Sequence, residues 1–571
     1  MTDRVIPAGV PAGALGDPAI EPSVRIVPLG GLGEIGLNMM LIEAGEDLLA
    51  VDCGLMFPDE AMPGVDYVIP DFTLLLAKRE QVRGVILTHA HEDHIGALPY
   101  LLRELDVPVY GPRMALALAG ERLREHGLQD RARLVPVEPR RAFDVGAFRV
   151  EPIRVTHSVV DGLGYAIETP VGTLVHTGDF KFDPHPIDGE RSDYHRLAEL
   201  GEQGVLCLMA DSTNVDRPGT TPSEREVGRA LAERLRRARG RVILATFASH
   251  VHRIQQVLDL AVAYGRKVAL LGRSMETNVR LAAELGYLRV PDGALLPLEE
   301  LAALPPYRQV ILSTGSQGEP NSALALMAAG EHKSLQAGDG DLVILSARVI
   351  PGHERTITRL VNQLLRLGAE VLWEGVAFVH VSGHASQDEL RLMLNLVRPK
   401  FFVPVHGEYR HLLAHAQLAR DVGMPGEHVF VVEDGQGIEL TKTGGRALRP
   451  FPVGRVLVDG KGVGDVGAVV LRDRELLAQD GMVVVAVTVD RATGALLAGP
   501  EIASRGWVYE REAEGVLEEA KAALREALAA HPRETPLARE ALAALLRGTL
   551  RRFITQRYDR KPIVLPLVLD A

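Results

Sequence analysis

Cysteine is nearly absent: Cys53 and Cys207 are the only two in 571 residues, which excludes a disulfide framework and any Cys-rich zinc motif. Each lies within or beside an apolar strand-like run, so both are expected to be buried thiols. No apolar run is long enough to cross a bilayer, and the first residues carry no charged segment leading into a hydrophobic signal core. The expectation is a soluble, cytoplasmic protein. An excess of positive charge is missing too, since 63 Lys and Arg face 75 Asp and Glu for a net charge of -12. A surface that is basic all over is thereby excluded, and any polyanion would have to bind in a local channel.

What the chain has is size and apolar content. With 46% hydrophobic residues over 571 positions it has room for three or four domains, each with a core. Residues 1–20, rich in Pro, Gly and Ala, read as a flexible tail. The densest chemistry follows the apolar run Gly84-Val85-Ile86-Leu87-Thr88, where His89-Ala90-His91-Glu92-Asp93-His94 packs three imidazoles and two carboxylates into six residues. A hydrophobic strand that empties into HxHxDH predicts a metal site, because imidazole nitrogen suits zinc and its neighbours while carboxylate oxygen admits harder ions. A helix is expected from about Ile95 to Leu105, with Asp93 and His94 at its beginning. Three further candidate ligands stand behind strand-like runs: His157 after Phe148–Thr156, Asp179 after Thr173–Gly178, and His406 after Phe401–Val405.

The order HxHxDH, His157, Asp179, His406 resembles the metallo-β-lactamase fold, an α/β architecture built as an αββα sandwich. The resemblance implies two divalent ions: His89, His91 and His157 on one, Asp93, His94 and His406 on the other, with Asp179 bridging. Zinc is the expected metal, with manganese or magnesium as alternatives. A hydroxide between the ions would be the nucleophile, and Asp93 is counted among the catalytic residues. Many relatives of this fold hydrolyse small thioesters, lactams or lactones, so the centre predicts hydrolysis and leaves the substrate open.

The interval between Asp211 and His406 is longer than such a sandwich needs. Arg241–Ser249, Lys267–Gly272, Gln309–Gly315 and Asp341–Ala347 read as buried strands, and Val251–Ala263, Glu319–Ala329 and His353–Leu367 as helices. This alternation predicts an inserted domain with a parallel sheet covered on both faces. Thr246-Phe247-Ala248-Ser249 with Arg253, the turn Ser313 to Pro320, and Val381-Ser382-Gly383-His384-Ala385-Ser386 resemble the β-CASP domain of nucleases, and most closely the ribonuclease J family. The resemblance covers nearly the whole chain from about Val24.

The resemblance implies that His384 contacts the scissile phosphate and that Asp211, in Met209-Ala210-Asp211-Ser212-Thr213-Asn214, tunes it. The segment Gly383, His384, Ala385, Ser386 is also expected to bind a terminal phosphate through backbone N–H groups and a hydroxyl at the beginning of the helix from Gln387. Arg273 and Ser274, beyond the strand Lys267–Gly272, are candidates for further phosphate contacts. Asp52 is expected to orient a ligand histidine. The glycine run Gly30 to Gly36 reads as a hairpin and not a dinucleotide fingerprint, because Met39–Glu43 continues as a strand.

After Pro450, Val453–Gly467 reads as a linker. Met482–Asp490, Ala495–Tyr509 and Pro562–Asp570 then carry strand patterns, and Val516–Ala530 and Pro536–Tyr558 carry helical ones, giving a small α+β unit. The tract Arg547–Lys561 reads as a solvated helix face in preference to an RNA contact. The expected layout is a tail at 1–20, a metallo-β-lactamase domain in two parts (21–218 and 369–450), a β-CASP domain at 219–368, a linker at 451–467 and a C-terminal domain at 468–571. The activity implied is a 5′-3′ exoribonuclease on single-stranded RNA that prefers 5′-monophosphate ends and also cuts internally, working in mRNA decay and rRNA maturation. A homodimer is implied, with a tetramer as the alternative, alongside RNA-decay or ribosome-associated partners. The rival readings are a small-molecule hydrolase of the same fold and a non-catalytic RNA-binding subunit.

Overall fold

The computed structural model describes residues 22–571 apart from 60, 320, 351–352, 492, 494, 508–512 and 531–537. The tail reading of residues 1–20 lies outside these, as do Pro320, Tyr509 and Pro536 at the margins of expected elements. The chain divides into two units. One runs to Met56 and from Val68 to Val456; the other joins Phe57–Tyr67 to Leu457–Ala571.

In the larger unit, two sheets face each other. The first has eight strands in the order Gly445–Ala447, Ile438–Leu440, Val24–Gly30, Met39–Ala44, Asp47–Val51, Val82–Ile86, Pro108–Gly111 and Arg133–Pro136. The second has six, in the order Phe401–Val405, Val205–Asp211, Gly172–His176, Leu163–Thr169, Phe148–Arg154 and Phe143–Val145. Ile26, Ile42, Val51 and Ile86 of the first meet Phe148, Tyr165, Ile167, Met209 and Val403 of the second in one dry core. The outer face of the second sheet, with Ala166, Val175, Leu208 and Phe402, is covered by the helices Tyr194–Gln203, Gln387–Val397 and Tyr409–Asp421. Strands buried on both faces are why Val205–Ala210, ahead of Asp211, and Phe401–Val405 are continuously apolar instead of alternating. Both sheets complete themselves with strands that follow the insertion, Phe401–Val405 in one and Ile438–Leu440 in the other.

The insertion is the expected parallel sheet, in the order Lys267–Leu271, Gln309–Ser313, Val242–Ala245, Leu342–Leu345 and Glu370–Leu372. The last strand is too short to have registered as a pattern. The helices Val251–Ala263, Arg273–Glu284, Ala323–Ala329 and Glu354–Arg366 belong to the same domain.

In the smaller unit, Met482–Val489 pairs antiparallel with Leu496–Arg505 and parallel with Ile563–Asp570. The helices Ala513–Ala529 and Arg539–Tyr558 bury Leu524, Leu546, Leu550 and Ile554 against Val483, Val485 and Val487. Arg547, Arg551 and Arg552 point to solvent. Two features here depart from the sequence reading. The expected linker contains a hairpin, in which Val458 and Asp459 pair with Val463 and Gly462. Residues 57–67 join this unit through Asp66, whose N–H donates to Val458 O at 2.8 Å and whose carboxylate accepts from the Gly460 N–H at 2.8 Å. No described helix is long and apolar enough to cross a membrane.

Candidate metal centre

The centre lies where strands of both sheets end. His89 and His91 follow Val82–Ile86, Asp179 follows Gly172–His176, Asp211 closes Val205–Asp211, and His406 follows Phe401–Val405. The helix after HxHxDH differs from the expected one. It starts at Glu92, stops at Ile95, and a second helix runs Leu98–Glu104. The break arises because the carbonyls of Asp93 and His94 are taken by the N–H groups of Asn38 and Cys53 at 3.0 and 2.8 Å, while that of Glu92 is shared between Gly96 and Leu55 at 2.8 and 3.0 Å, an interception by tertiary partners that local periodicity does not contain.

Asp179 is the hub. Its Oδ2 lies 3.7 Å from His89 Nε2, 3.3 Å from His94 Nε2, 3.8 Å from His157 Nε2, 3.6 Å from His406 Nε2 and 3.9 Å from His384 Nδ1. Potential ligand atoms converge in three groups: His89, His91, His157 and Asp179; Asp93, His94 and His406; and Asp179, Asp211, His384 and His406. Four histidines have their other ring nitrogen fixed by the protein. His94 Nδ1 meets Asp52 Oδ2 at 2.7 Å, His157 Nδ1 meets Gly383 O at 2.8 Å, His89 Nδ1 meets Thr88 Oγ1 at 3.0 Å and His406 Nδ1 meets Thr213 Oγ1 at 2.6 Å. Each therefore offers Nε2 to the centre, which is how metal-ligating imidazoles are oriented.

The protonation pattern fits a cation. Burial, then the neighbouring His94, holds His89 well below the usual imidazole range; burial and His384 do the same for His157, and burial brings His91 to about 4. These three are neutral nitrogen donors at neutral pH. Burial also works against the charged forms of His94 and His406, yet the carboxylates, Asp179 foremost, outweigh it and hold both above the usual range. Asp179 is pushed up by burial and pulled further down by His406, His94 and His89, so it stays ionised. An ionised carboxylate amid five imidazoles is a donor set for divalent metal.

Asp52 acts as the sequence suggested: besides holding His94, it accepts the Thr88 N–H at 2.7 Å and the Thr88 hydroxyl at 2.8 Å, and Thr88 in turn holds His89. Asp52→Asn should weaken metal affinity about 10- to 100-fold, read by competition with a chelator; unchanged affinity would show that Asp52 serves only the fold. Asn38 and Thr213 gave no signal in the sequence. Asn38 Nδ2 lies 3.0 Å from Asp93 O and 3.1 Å from His94 Nε2.

His384 stands beside the hub, its Nδ1 bonded to Asp211 Oδ2 at 2.7 Å and its side chain 19% exposed. Gly383 is required by close approach, since a Cβ there would lie 2.6 Å from His157 Cε1. Ala385 is buried, and the Ser386 hydroxyl bonds Thr221 Oγ1 at 2.9 Å. The N–H groups of Ser386, Gln387 and Asp388 donate to the Glu389 carboxylate, Arg217 O and Gly219 O at 2.9, 3.0 and 3.0 Å. At the helix start these three N–H groups are engaged by the protein's own acceptors, and His384 and Ser382 are the partly exposed residues of the turn. Arg273 and Ser274 stand just beyond the strand Lys267–Leu271, as expected. Gly272 turns the chain at φ 111° into the helix Arg273–Glu284, where both are exposed; among the described residues neither bonds to the histidine cluster.

Next to His406, the glycine-rich hairpin is clamped. Leu32–Gly33 pairs with Gly407–Glu408, and the Leu32 N–H donates to Asp434 Oδ1 at 3.1 Å. Burial and the adjacent Glu34 carboxylate push Asp434 up to about 8, against the pull of Arg455. The folded state therefore keeps a proton that the unfolded chain releases near pH 4, and this stabilisation is full below that pH and is lost as pH rises toward 8. Asp434→Asn should flatten the decline in melting temperature between pH 5 and 8 by on the order of 2 °C; an identical slope in both proteins would contradict the shared proton.

The sandwich, the inserted parallel sheet and the histidine–carboxylate hub define a metallo-β-lactamase-fold hydrolase of the β-CASP type. Family profiles agree, matching the metallo-beta-lactamase superfamily over residues 32–239, the ribonuclease J beta-CASP domain over 239–364, a Zn-dependent metallo-hydrolase RNA specificity domain over 369–432, and the ribonuclease J C-terminal domain over 469–571. The chain is 43% identical to ribonuclease J of Thermus thermophilus over 571 residues, covering 98% of this chain and 97% of that one. It is 41% identical to ribonuclease J 1 of Streptococcus pyogenes over 546 residues (96% and 97%) and 39% identical to ribonuclease J2 of Bacillus subtilis over 549 (96% and 99%). A crystal structure of an Enterococcus faecalis protein of unknown function shares the fold, with a TM-score of 0.52 at 16% identity over 73% of this chain and all of that one. The chain belongs to the ribonuclease J family, and is a metal-dependent ribonuclease.

Proposed function

We propose that this enzyme degrades single-stranded RNA from the 5′ end, prefers a 5′-monophosphate and also cuts internally, with roles in mRNA decay and rRNA maturation. The observation that carries the reading is the His384–Asp211 pair set against the Asp179 hub, which places a hydrogen-bonding imidazole beside a centre suited to divalent cations. His89, His91 and His157 would hold one ion and Asp93, His94 and His406 another, with Asp179 between them; zinc fits the imidazole-rich set best, and manganese fits the carboxylates. Bound divalent ions supply Lewis acidity at a phosphoryl oxygen and lower the pKa of water. Asp211 fixes His384 through Nδ1, so its Nε2 faces the substrate side and can donate to an oxygen of the scissile group or pass a proton to the departing one. His384 and the Ser382 hydroxyl are the groups of this turn that can meet a phosphate. A homodimer in the cytoplasm is the expected setting, on family likeness.

The test is a time course on 3′-labelled single-stranded RNAs that differ only in a 5′-monophosphate, triphosphate or hydroxyl, with manganese or magnesium and a chelator control. Loss of full-length monophosphorylated RNA with release of mononucleotides, and no ladder, supports 5′ trimming. Internal fragments regardless of the 5′ group would make the enzyme chiefly an endonuclease, and no cleavage with any metal would return the small-molecule hydrolase or the silent subunit.

A further inference from the structure

The β-CASP sheet contains a point where its connections part. The chain leaves Val242–Ala245 toward the Lys267–Leu271 edge and leaves Leu342–Leu345 toward the Glu370–Leu372 edge, and these two strands are neighbours. Open α/β sheets bind ligands in the crevice that such a divergence leaves outside the carboxyl ends of the strands. Arg348 stands just beyond Leu345, at that crevice.

Arg348 is half-buried, and its guanidinium donates to a neutral acceptor, Asn214 Oδ1, at 2.7 Å. Of the other sequestered arginines of this domain, Arg253 is matched by Glu224 and Arg241 by Asp341, while Arg266 spends its guanidinium on three backbone carbonyls, those of Ala238, Gly240 and Gln309; Arg348 has one neutral acceptor. Burial, followed by the nearby Arg217, pushes Arg348 below its ordinary value, with Glu374 and Asp216 opposing. Asp216 is paired with Arg410, which also binds Glu408, so among the described residues that act most on Arg348, Glu374 is the carboxylate left for it and Arg217. A cation withdrawn from water without a matching anion is costly unless a ligand provides one.

The acceptor is itself informative. Asn214 is fully buried, and its Nδ2 donates to Ser382 Oγ at 2.8 Å and to His384 O at 3.1 Å. Ser382 Oγ in turn accepts the His384 N–H at 3.2 Å. One amide thus joins the guanidinium on the inserted domain to the turn that presents His384.

We propose that Arg348 is a substrate-binding residue that takes a backbone phosphate of the RNA strand, and that Asn214 is a positioning residue that ties the bound strand to the His384 turn. This rests on the ribonuclease reading. The experiment compares unmodified protein with Arg348→Gln, which keeps a donor for Asn214 and loses the charge, and Arg348→Lys, which keeps the charge and loses the fork. Kd for a single-stranded RNA is read by fluorescence anisotropy across a salt series, together with kcat and KM on RNA and on bis(p-nitrophenyl) phosphate. Arg348→Gln should raise Kd and KM for RNA about 10- to 100-fold, reduce the salt slope by about 0.7, the share of one phosphate on a single strand, and cost far less on the small diester; Arg348→Lys should fall between. Equal Kd and equal salt slope in Arg348→Gln and unmodified protein would overturn the assignment, as would equal losses on RNA and the small diester, the mark of a merely structural arginine. Unmodified protein that binds RNA but never cleaves it would sink the ribonuclease reading, while the Kd comparison still decides on Arg348.

Discussion

Asp179→Ala is expected to lower RNA cleavage by on the order of 10³-fold or more, the scale on which removal of a preorganised electrostatic partner acts. The expectation follows from geometry, since one oxygen of this side chain lies 3.3–3.9 Å from five imidazoles. Without it, His94 and His406 lose the first of the carboxylates that hold them above their usual range, and a cation loses the only anionic donor central to all of them. Metal content measured by plasma emission should fall together with activity, while RNA affinity should change little, because the strand is held elsewhere. Asp179→Asn, of nearly the same shape, guards against a packing explanation. Full metal occupancy with near-native turnover in both variants would show that the hub is structural.

His384→Ala should reduce kcat about 10²- to 10⁴-fold, the range for a positioned proton donor or acceptor, with metal content unchanged. Asp211→Asn should cost less, because that carboxylate acts through the imidazole it holds at 2.7 Å. The double variant should resemble His384→Ala alone, since residues that act as a unit do not add. A competing arrangement is present in the same atoms: Asp211 and His384 also converge with Asp179 and His406. If Asp211→Asn stripped metal and abolished turnover by itself, Asp211 would belong to the metal set and His384 would lose its separate role.

The centre was legible because its ligands follow strongly apolar strands, and such strands announce themselves: Phe401–Val405 and the helix Val251–Ala263 fall where the sequence put them. The order of the ligands along the chain then carried the family. What was not legible depends on partners distant in sequence. The helix expected from Ile95 begins only at Leu98, after a separate turn at Glu92–Ile95 whose Asp93 and His94 carbonyls are claimed by the N–H groups of Asn38 and Cys53. Asn38, Thr213 and Asn214 are small neutral polar residues with no periodicity, and only their contacts reveal them. Residues 57–67 sit inside the first domain's sequence yet belong to the C-terminal unit, an exchange no local pattern encodes.

Both sheets of the sandwich take a strand from beyond the insertion, and His406 arrives on one of them. Synthesis proceeds from the N-terminus, so a nascent chain that has emerged only through the β-CASP sheet shows Val205–Asp211 and Val24–Gly30 as largely apolar borders without their outer neighbours, an arrangement prone to sticking to other chains. That same nascent chain has no His384 and no His406, and on the roles proposed for them it is expected to be inert until the last structural gaps close. A chain truncated within the insertion is therefore expected to show no RNA cleavage.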